Sequence, residues 1–415
     1  MEQLITAEII TIGDEILYGQ ITDTNSQWIS SQLDNIGVKV KRKTAIGDER
    51  SEILGAFKSA ASNVDIIIVT GGLGPTNDDI TKSCFCQFFD CEEEINLKAL
   101  QDVQAFFEKR GRELSPMNRL QASLPTACTP IYNQYGTAPG MWFEKEGKNF
   151  ISMPGVPFEM KAMFTNDVIP LIRDKYKLFS IYHQWIKTVG IGESIIAERI
   201  KPIEDALPNQ VRLAYLPSLG EVKLRLTCFE SDKSIAQKQC DYWAKKILAE
   251  LKEEVYSLED INLVEYIAKQ LIDKKMSLAT AESCTGGYIA HQLTSVSGSS
   301  NYFKGSIVAY HNDVKQTQLK VSESILEEHG AVSEPVVKLM AEHVRKLLKT
   351  SIGVACSGIA GPNGGTQEKP VGTVWIAYSD EYKTVAKKIN LGNLRENNIK
   401  LTCINVLNFI RKNLR

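Results

Sequence analysis

The chain has 415 residues, 48 basic against 50 acidic side chains, a net charge of −2 and 43% hydrophobic residues. That length suggests two or three domains with substantial cores. The near-neutral balance gives no electrostatic case for a nucleic-acid or membrane partner. The opening "MEQLITAEIITIGDEIL" has no basic stretch and no small-residue cleavage site, and no apolar run nears the roughly 20 residues of a bilayer span, so a cytoplasmic protein is expected. Nine scattered cysteines, an odd count, read as reduced thiols. "CFCQFFDC" (Cys84, Cys86, Cys91) fits no common zinc spacing and reads as buried helix cysteines.

Residues 1–172 alternate strand and helix signals. "AEIITIG" is a strand, "TNSQWISSQLDNIG" a helix ending at Gly37, "VKVKRKTAIG" a strand, "ERSEILGAFKSAASN" a helix and "VDIIIVTGG" a strand. The alternation predicts an α/β fold, a parallel sheet with helices on both faces and ligands beyond the carboxyl ends of the strands. Residues 173–257 run β-α-β-β-α-β, with a hairpin at Ser218-Leu219-Gly220, which predicts a small split α+β sandwich. No catalytic cluster stands out there, and "VGIGES" reads as a structural turn. Residues 258–415 return to an α/β pattern, from the helix "NLVEYIAKQLIDKK" through "MSLAT", "GSIVAY", "SIGVACSGIAG", "VGTVWIAYS" and "YKTVAKKINL". A last helix, roughly 395–413, carries Ile399, Leu401, Ile404, Leu407 and Ile410 as a packing stripe.

Two acidic pairs follow strands in the first region: Asp14-Glu15 in "TIGDEIL", and Asp78-Asp79 in "VTGGLGPTNDDIT", behind Gly71, Gly72 and Gly74. Glycines let backbone N–H groups approach phosphate oxygens, and the next helix adds its positive end. Carboxylates beside a phosphate repel it unless a divalent cation bridges them. This end therefore reads as a site for a phosphorylated ligand plus metal, or else Asp78 and Asp79 only cap a helix. "GDEIL", "TGGLGPTNDD" and "PGVPFEM" resemble the molybdopterin-binding fold in its CinA-type branch (competence/damage-inducible protein). The resemblance implies a metal-dependent ADP-ribose pyrophosphatase yielding AMP and ribose 5-phosphate. It makes Asp14, Glu15, Asp78 and Asp79 ligands of a divalent cation (magnesium, manganese or cobalt). Gly71, Gly72, Gly74 and Thr76 become the phosphate cradle, with Asn118 and Arg119 as further substrate-binding candidates. Binding or modifying a molybdopterin is the alternative.

"MSLATAES" followed by "CTGGYIAHQL" reads as strand, sharp turn, helix. Hydrolases built on sheets present a nucleophilic serine at such a corner, with neighbouring N–H groups as an oxyanion hole. Serine needs a base. None of His183, His291, His311, His329 and His343 lies in a motif with an acidic orienter, and Cys284, the rival nucleophile, has no histidine partner. "GSIVAYHNDVKQ" offers Tyr310 at a strand end and Lys315 in the turn or helix beyond, and lysine becomes a base when burial lowers its pKa. By spacing alone Lys315 is equally a surface lysine. "GAVSEP" reads as a helix start capped by Ser333 with Pro335 just inside.

"AESCTGG", "SSNYFKGSIVAYHNDVK", "GAVSEPVV" and "GIAGPNGGTQEKPVGTV" resemble the CinA C-terminal domain, in order, across about 150 residues. The resemblance implies a nicotinamide mononucleotide amidohydrolase that releases nicotinate mononucleotide and ammonia without a cofactor. Ser283 is then the nucleophile and Lys315 with Tyr310 the activating pair. N–H groups around Thr285, Gly286 and Gly287 serve the oxyanion. Thr285, Ser357 and the loop of Gly358, Gly361, Gly364 and Gly365 hold the phosphate, unless that loop only shapes the pocket. The whole reads as a bifunctional hydrolase of pyridine-nucleotide salvage and, by resemblance, a homodimer with a KH-like middle module. Interspersed acids and few aromatics argue against nucleic acid there. The rival classes are a molybdopterin-related transfer protein and a non-catalytic partner in DNA uptake or damage response.

Overall fold

A computed structural model describes residues 4–76 and 78–414. Its first unit, residues 1–182 with 229–236, is built on a six-stranded sheet. Thr6–Ile12 lies between Lys39–Ile46 and Ile66–Thr70, and Lys148–Met153 extends the sheet, all in parallel. Gly140–Lys145 and Thr129–Ile131 then add antiparallel strands, so the sheet is mixed where a parallel one was expected. The cause is local. Glu146 and Gly147 both take positive φ, 50° and 76°, the pattern of a tight type I′ hairpin that reverses the chain without a crossover helix.

Thr6–Ile12 and Ile66–Thr70 are buried along their whole length because helices cover both faces. Thr24–Asn35 and Pro157–Met163 pack on one side, and Arg50–Asn63 and Thr81–Phe89 on the other. The Asp23 carboxylate accepts from the Ser26 N–H and starts the first of these helices, and Gly37 at φ 88° lies just past its end. Of the "CFCQFFDC" thiols only Cys84 is buried. Cys86 is half-buried, and Cys91 falls beyond the helix, which stops at Phe89 where Asp90 turns left-handed.

The second unit comprises residues 183–228 and 237–415. The middle module, most of which falls in this unit, has the predicted order: Ser180–Val189, Glu193–Glu204, Val211–Ser218, Glu221–Glu230, Lys233–Glu250 and Val255–Ser257. The C-terminal module is a five-stranded sheet ordered Phe303–Val308, Leu278–Glu282, Ile352–Gly358, Thr373–Ser379, Thr384–Asn390. The first three are parallel and the last two antiparallel. Glu334–Leu348 covers one face through Val336, Met340 and Val344. Leu263–Asp273, Tyr288–Thr294 and Arg395–Asn413 cover the other, in an apolar core that also takes in Val189 and Tyr256 of the middle module.

The last helix spans the expected residues, but its buried stripe is Asn398, Thr402, Cys403, Val406, Leu407 and Ile410. Leu401 and Ile404 lie beside it and meet the hairpin turn at Gly220. Ser333 precedes Glu334–Leu348 as expected, yet its hydroxyl donates to the Gly330 carbonyl and makes no cap bond to the helix. Among the described residues no helix is long and apolar enough to cross a membrane.

Candidate functional sites

A cavity of about 560 Å³ opens beyond the carboxyl ends of Thr6–Ile12 and Ile66–Thr70, walled by Glu15, Asp48, Asp78, Asp79, Gln121 and Glu159. The glycine loop crosses it. A Cβ on Gly71 would stand 2.1 Å from the Ile12 carbonyl oxygen, so only glycine fits where the loop leaves the sheet. The Gly71 N–H donates to the Met153 carbonyl at 3.1 Å and the Gly74 N–H to Asp79 Oδ1 at 2.7 Å. Two of the three expected glycine donors are thus engaged within the fold. Asp79 also accepts from the Thr76 N–H at 3.0 Å and from the Thr76 hydroxyl. Its carboxylate staples the loop, so Asp79 and Thr76, expected as metal ligand and phosphate donor, are bonded to each other in this structure. Neither acid caps the next helix, which begins at Thr81 without a side-chain cap.

Of the remaining acids Glu15 and Asp78 line the cavity and Asp14 does not, while Asp48, which the sequence reading missed, also lines it. The Asp14 N–H donates to Asp48 Oδ2 at 3.1 Å. Burial pushes the Asp48 carboxyl above the usual range, and the charges of Asp14, Glu15 and Asp78 push the same way against that N–H bond. Asp48 follows a strand and a glycine in "AIGDER", as Asp14 does in "TIGDEIL"; that repeat was the available signal. Among the described residues no three His, Cys, Asp or Glu side chains stand close enough to hold a metal ion by themselves. The donor set still suits a hard cation, because magnesium-type ions take one or two carboxylates and complete their shell with water and substrate phosphate. Asn118 and Arg119 occupy the short helix Pro116–Arg119 and do not line the cavity, whereas Gln121 does. Lys82, only 8% exposed, holds that stretch through the Gln121 and Ser123 carbonyls at 3.2 and 3.1 Å.

In the C-terminal module the strand Leu278–Glu282 ends one residue before Ser283. Gly286 and Gly287 then turn the chain at φ 60° and 98°, which side-chain-bearing residues resist, and Tyr288–Thr294 begins. Ser283 is 8% exposed, so the corner is tucked in at the end of an interior strand and not displayed. Its N–H donates to the Cys356 carbonyl at 3.1 Å. The Gly286 N–H donates to the Ser283 carbonyl at 3.1 Å and the Gly287 N–H to Glu282 Oε2 at 3.1 Å. Of the expected oxyanion donors, these two are taken. The Thr285 hydroxyl bonds Glu282 Oε2 at 2.7 Å, and the Ser357 hydroxyl donates to the Ala331 carbonyl at 2.6 Å. Both therefore have structural partners where substrate contacts were expected.

Lys315 sits in the helix Asn312–Thr317 and is 1% exposed. Its amine donates to the Ala309 and Tyr310 carbonyls at 2.8 and 3.2 Å. Burial lowers its pKa from the ordinary 10.5, against a smaller opposite effect of the nearby Cys284 and Cys356 sulfurs. Among the described residues no hydrogen bond joins Ser283 Oγ to Lys315 or Tyr310. The Cys284 thiol is raised well above its usual range, first by its hydrogen bond to Cys356 and then by burial, so it stays protonated.

Tyr310 is 57% exposed, and its oxygen accepts from Arg395 Nη2 at 2.8 Å. Arg395 Nη1 donates to the Gly361 carbonyl at 2.8 Å. This arginine, 85 residues from Tyr310, ties the tyrosine corner to the glycine loop and was missed in the sequence. The loop itself is tight: Gly361 and Gly364 take positive φ, and Cβ atoms on Gly358 or Gly365 would crowd Val374 or Val371. A hollow of about 470 Å³ lies on the other side of the corner, lined by Thr285, Tyr288, His291 and Lys400.

Family models match three segments: a probable molybdopterin binding domain at residues 8–174, a damage-inducible protein CinA KH domain at 183–257 and a CinA C-terminal domain at 260–414. A CinA-like protein of Cytophaga hutchinsonii is 49% identical over 100% of this chain and 99% of its own length. One from Flavobacterium psychrophilum is 43% identical over 98% of each. A solved structure of the protein CinA from Thermoplasma acidophilum, of unknown function, is 35% identical and covers 41% of this chain and 98% of its own, at a TM-score of 0.37. Three matched segments in this order, and relatives alike from end to end, establish that the chain belongs to the CinA family.

Proposed function

We propose that the protein is a bifunctional pyridine-nucleotide salvage hydrolase. The C-terminal module cleaves the carboxamide of nicotinamide mononucleotide, and the N-terminal module cleaves ADP-ribose to AMP and ribose 5-phosphate. The observation that carries the first activity is Lys315, an almost wholly buried amine within electrostatic reach of Cys284, the residue after Ser283, with its proton affinity lowered by burial. A neutral Lys315 takes the Ser283 Oγ proton as the oxygen bonds the carboxamide carbon. The developing oxyanion meets the Thr285 N–H and the Tyr310 O–H, which is free to donate because Arg395 occupies only an acceptor site on that oxygen. The C–N bond breaks, the lysine proton leaves with ammonia, and water attacks the ester, returning the proton to Ser283 and releasing the carboxylate. The Arg395 guanidinium, exposed between Tyr310 and Gly361, supplies the charge that recognises the substrate phosphate.

In the N-terminal cavity one or two carboxylates from Glu15, Asp48 and Asp78, with Asp14 bonded behind Asp48, would hold a divalent cation shared with the ligand's phosphates. That ion supplies charge neutralisation and polarises a phosphorus–oxygen bond. Asp79 keeps the glycine loop in place for the phosphates. The match to a molybdopterin binding domain supports a second reading of this cavity, tight pterin binding without cleavage. The deciding experiment incubates purified protein with nicotinamide mononucleotide and, separately, with ADP-ribose, and measures ammonia and AMP. Ammonia lost in Ser283→Ala and retained in Cys284→Ala supports the amidase. Folded wild type that releases none overturns it, and AMP formation decides between pyrophosphatase and pterin binder.

A further inference from the structure

The residue before the serine has no assigned part in this chemistry. Glu282 is 0% exposed and ends the strand that delivers Ser283. Its two oxygens accept six hydrogen bonds. Oε2 takes the Thr285 hydroxyl at 2.7 Å and the Gly287 and Ile289 N–H groups at 3.1 and 2.9 Å. Oε1 takes the Ala290 N–H at 2.8 Å and the Ser306 and Thr280 hydroxyls at 3.3 and 3.4 Å. A carboxylate sealed from water is costly unless its acceptor sites are filled, and here the fold fills them. The donors come from both sides of the corner: the turn and first helical residues after Ser283, and the neighbouring strand Phe303–Val308, which leads to Tyr310 and Lys315.

We infer that Glu282 is a positioning residue for the amidase. Its carboxylate clamps the Ser283 turn to the strand that precedes the lysine, and so sets the distance between nucleophile and base. This rests on the amidase reading of the same site. The same bonds have a second effect, since they take up the free N–H groups of Tyr288–Thr294, so the substrate phosphate has to be met elsewhere.

Glutamine tests the clamp at nearly constant volume. Hydroxyls can turn round and donate or accept, but an N–H cannot. With the amide oxygen at the Oε2 position and its NH2 at Oε1, the Gly287 and Ile289 bonds survive and the Ala290 N–H faces another donor. A misplacement of about 1 Å costs roughly 100-fold in rate, so Glu282→Gln should lower kcat for ammonia release about 100-fold while KM stays within about threefold. Ser306→Ala removes one long bond from the neighbouring strand and should lower kcat about three- to tenfold by the same reasoning. Folding is checked by AMP formation in the N-terminal module and by thermal unfolding. A second readout does not need turnover: phosphonylation of Ser283 by a fluorophosphonate, followed by intact mass, should slow in parallel with kcat in both variants. Folded variants that keep wild-type kcat and wild-type phosphonylation overturn the inference. So does a kcat loss matched by a KM rise with phosphonylation unchanged, which would make Glu282 a substrate-binding determinant. If Glu282→Gln does not fold, Ser306→Ala decides alone by the same two measurements. If wild-type protein releases no ammonia yet its phosphonylation slows in the variants, the amidase reading fails and the clamp stands.

Discussion

The two sites are opposite solutions to holding a charged, reactive group. The N-terminal cavity is open, and its acids lie at strand ends, where burial first and neighbouring carboxylates second hold the Asp48 carboxyl above its usual range. Such a site is completed by what enters it. The C-terminal corner is closed: Glu282, Lys315, Thr285 and Ser357 are all almost fully buried and hydrogen-bonded within the module before any ligand arrives. On the proposed reading, one site depends on a cation to cancel its charge, and the other on packing to fix its geometry. They should therefore fail in different ways.

The sharpest break removes the nucleophile. Ser283→Ala should lower ammonia release by on the order of 1,000-fold or more and leave AMP formation intact; equal loss of both activities would show that the sites are not separable. Chelation should do the reverse. With metal removal verified, AMP formation from ADP-ribose should fall to background while ammonia release is unchanged, and persistent cleavage would remove the cation from the N-terminal account.

A titration sharpens the contrast further. Burial lowers the folded pKa of Lys315 below 10.5, so the neutral, proton-accepting form appears at a lower pH than in free lysine. Ammonia release should rise with pH to a plateau reached below pH 10.5, and Lys315→Met should remove that limb and about 100- to 10,000-fold of the rate. The same shift adds stability as pH climbs from the folded towards the unfolded pKa, because over that window the unfolded chain binds more protons. A rate limb unchanged in the methionine variant would hand the base role to another group.

Arg395→Ala removes a charge-assisted hydrogen bond worth about 1.5–3 kcal/mol, so KM for nicotinamide mononucleotide should rise about 10- to 100-fold. Nicotinamide riboside, which lacks the phosphate, should lose less than the mononucleotide, its loss being only what release of Tyr310 from Arg395 costs. Smallest is Gly287→Ala, strained at φ 98°. It should cost about 1–2 kcal/mol of stability, read as a lowered denaturation midpoint with the N-terminal activity retained.

The parts of this design that were legible in sequence are those written in local pattern. Glycine pairs and strand periodicity located the strands that lead to the glycine loop and to the serine corner, and the final helix fell on the expected residues, whereas the strand Lys148–Met153 before "PGVPFEM" was not read. Function of individual polar groups was less visible, because it depends on who stands opposite. Asp79 reads as a metal ligand in "NDD", and the sequence does not show that its carboxylate also takes the Gly74 and Thr76 N–H groups. Thr285 looks like a substrate donor until its hydroxyl is found on Glu282. Arg395 lies 85 residues from the tyrosine it touches, and no spacing rule connects them. The antiparallel edge of the first sheet was hidden in two residues, Glu146 and Gly147, that fold as a hairpin turn.

The apolar core shared by Val189, Tyr256, Leu407 and Ile410 bears on how the protein can be dissected. Arg411 reinforces that join by donating to the Glu253 and Val255 carbonyls at 2.6 and 3.3 Å. An expression fragment begun at residue 258 would bare one flank of the last helix and leave its arginine without those acceptors. The same helix carries Arg395 at its other end, so fraying there would reach the tyrosine corner. Excision for crystallography or directed evolution is better made upstream of residue 183, keeping the middle module as the fragment's own lining.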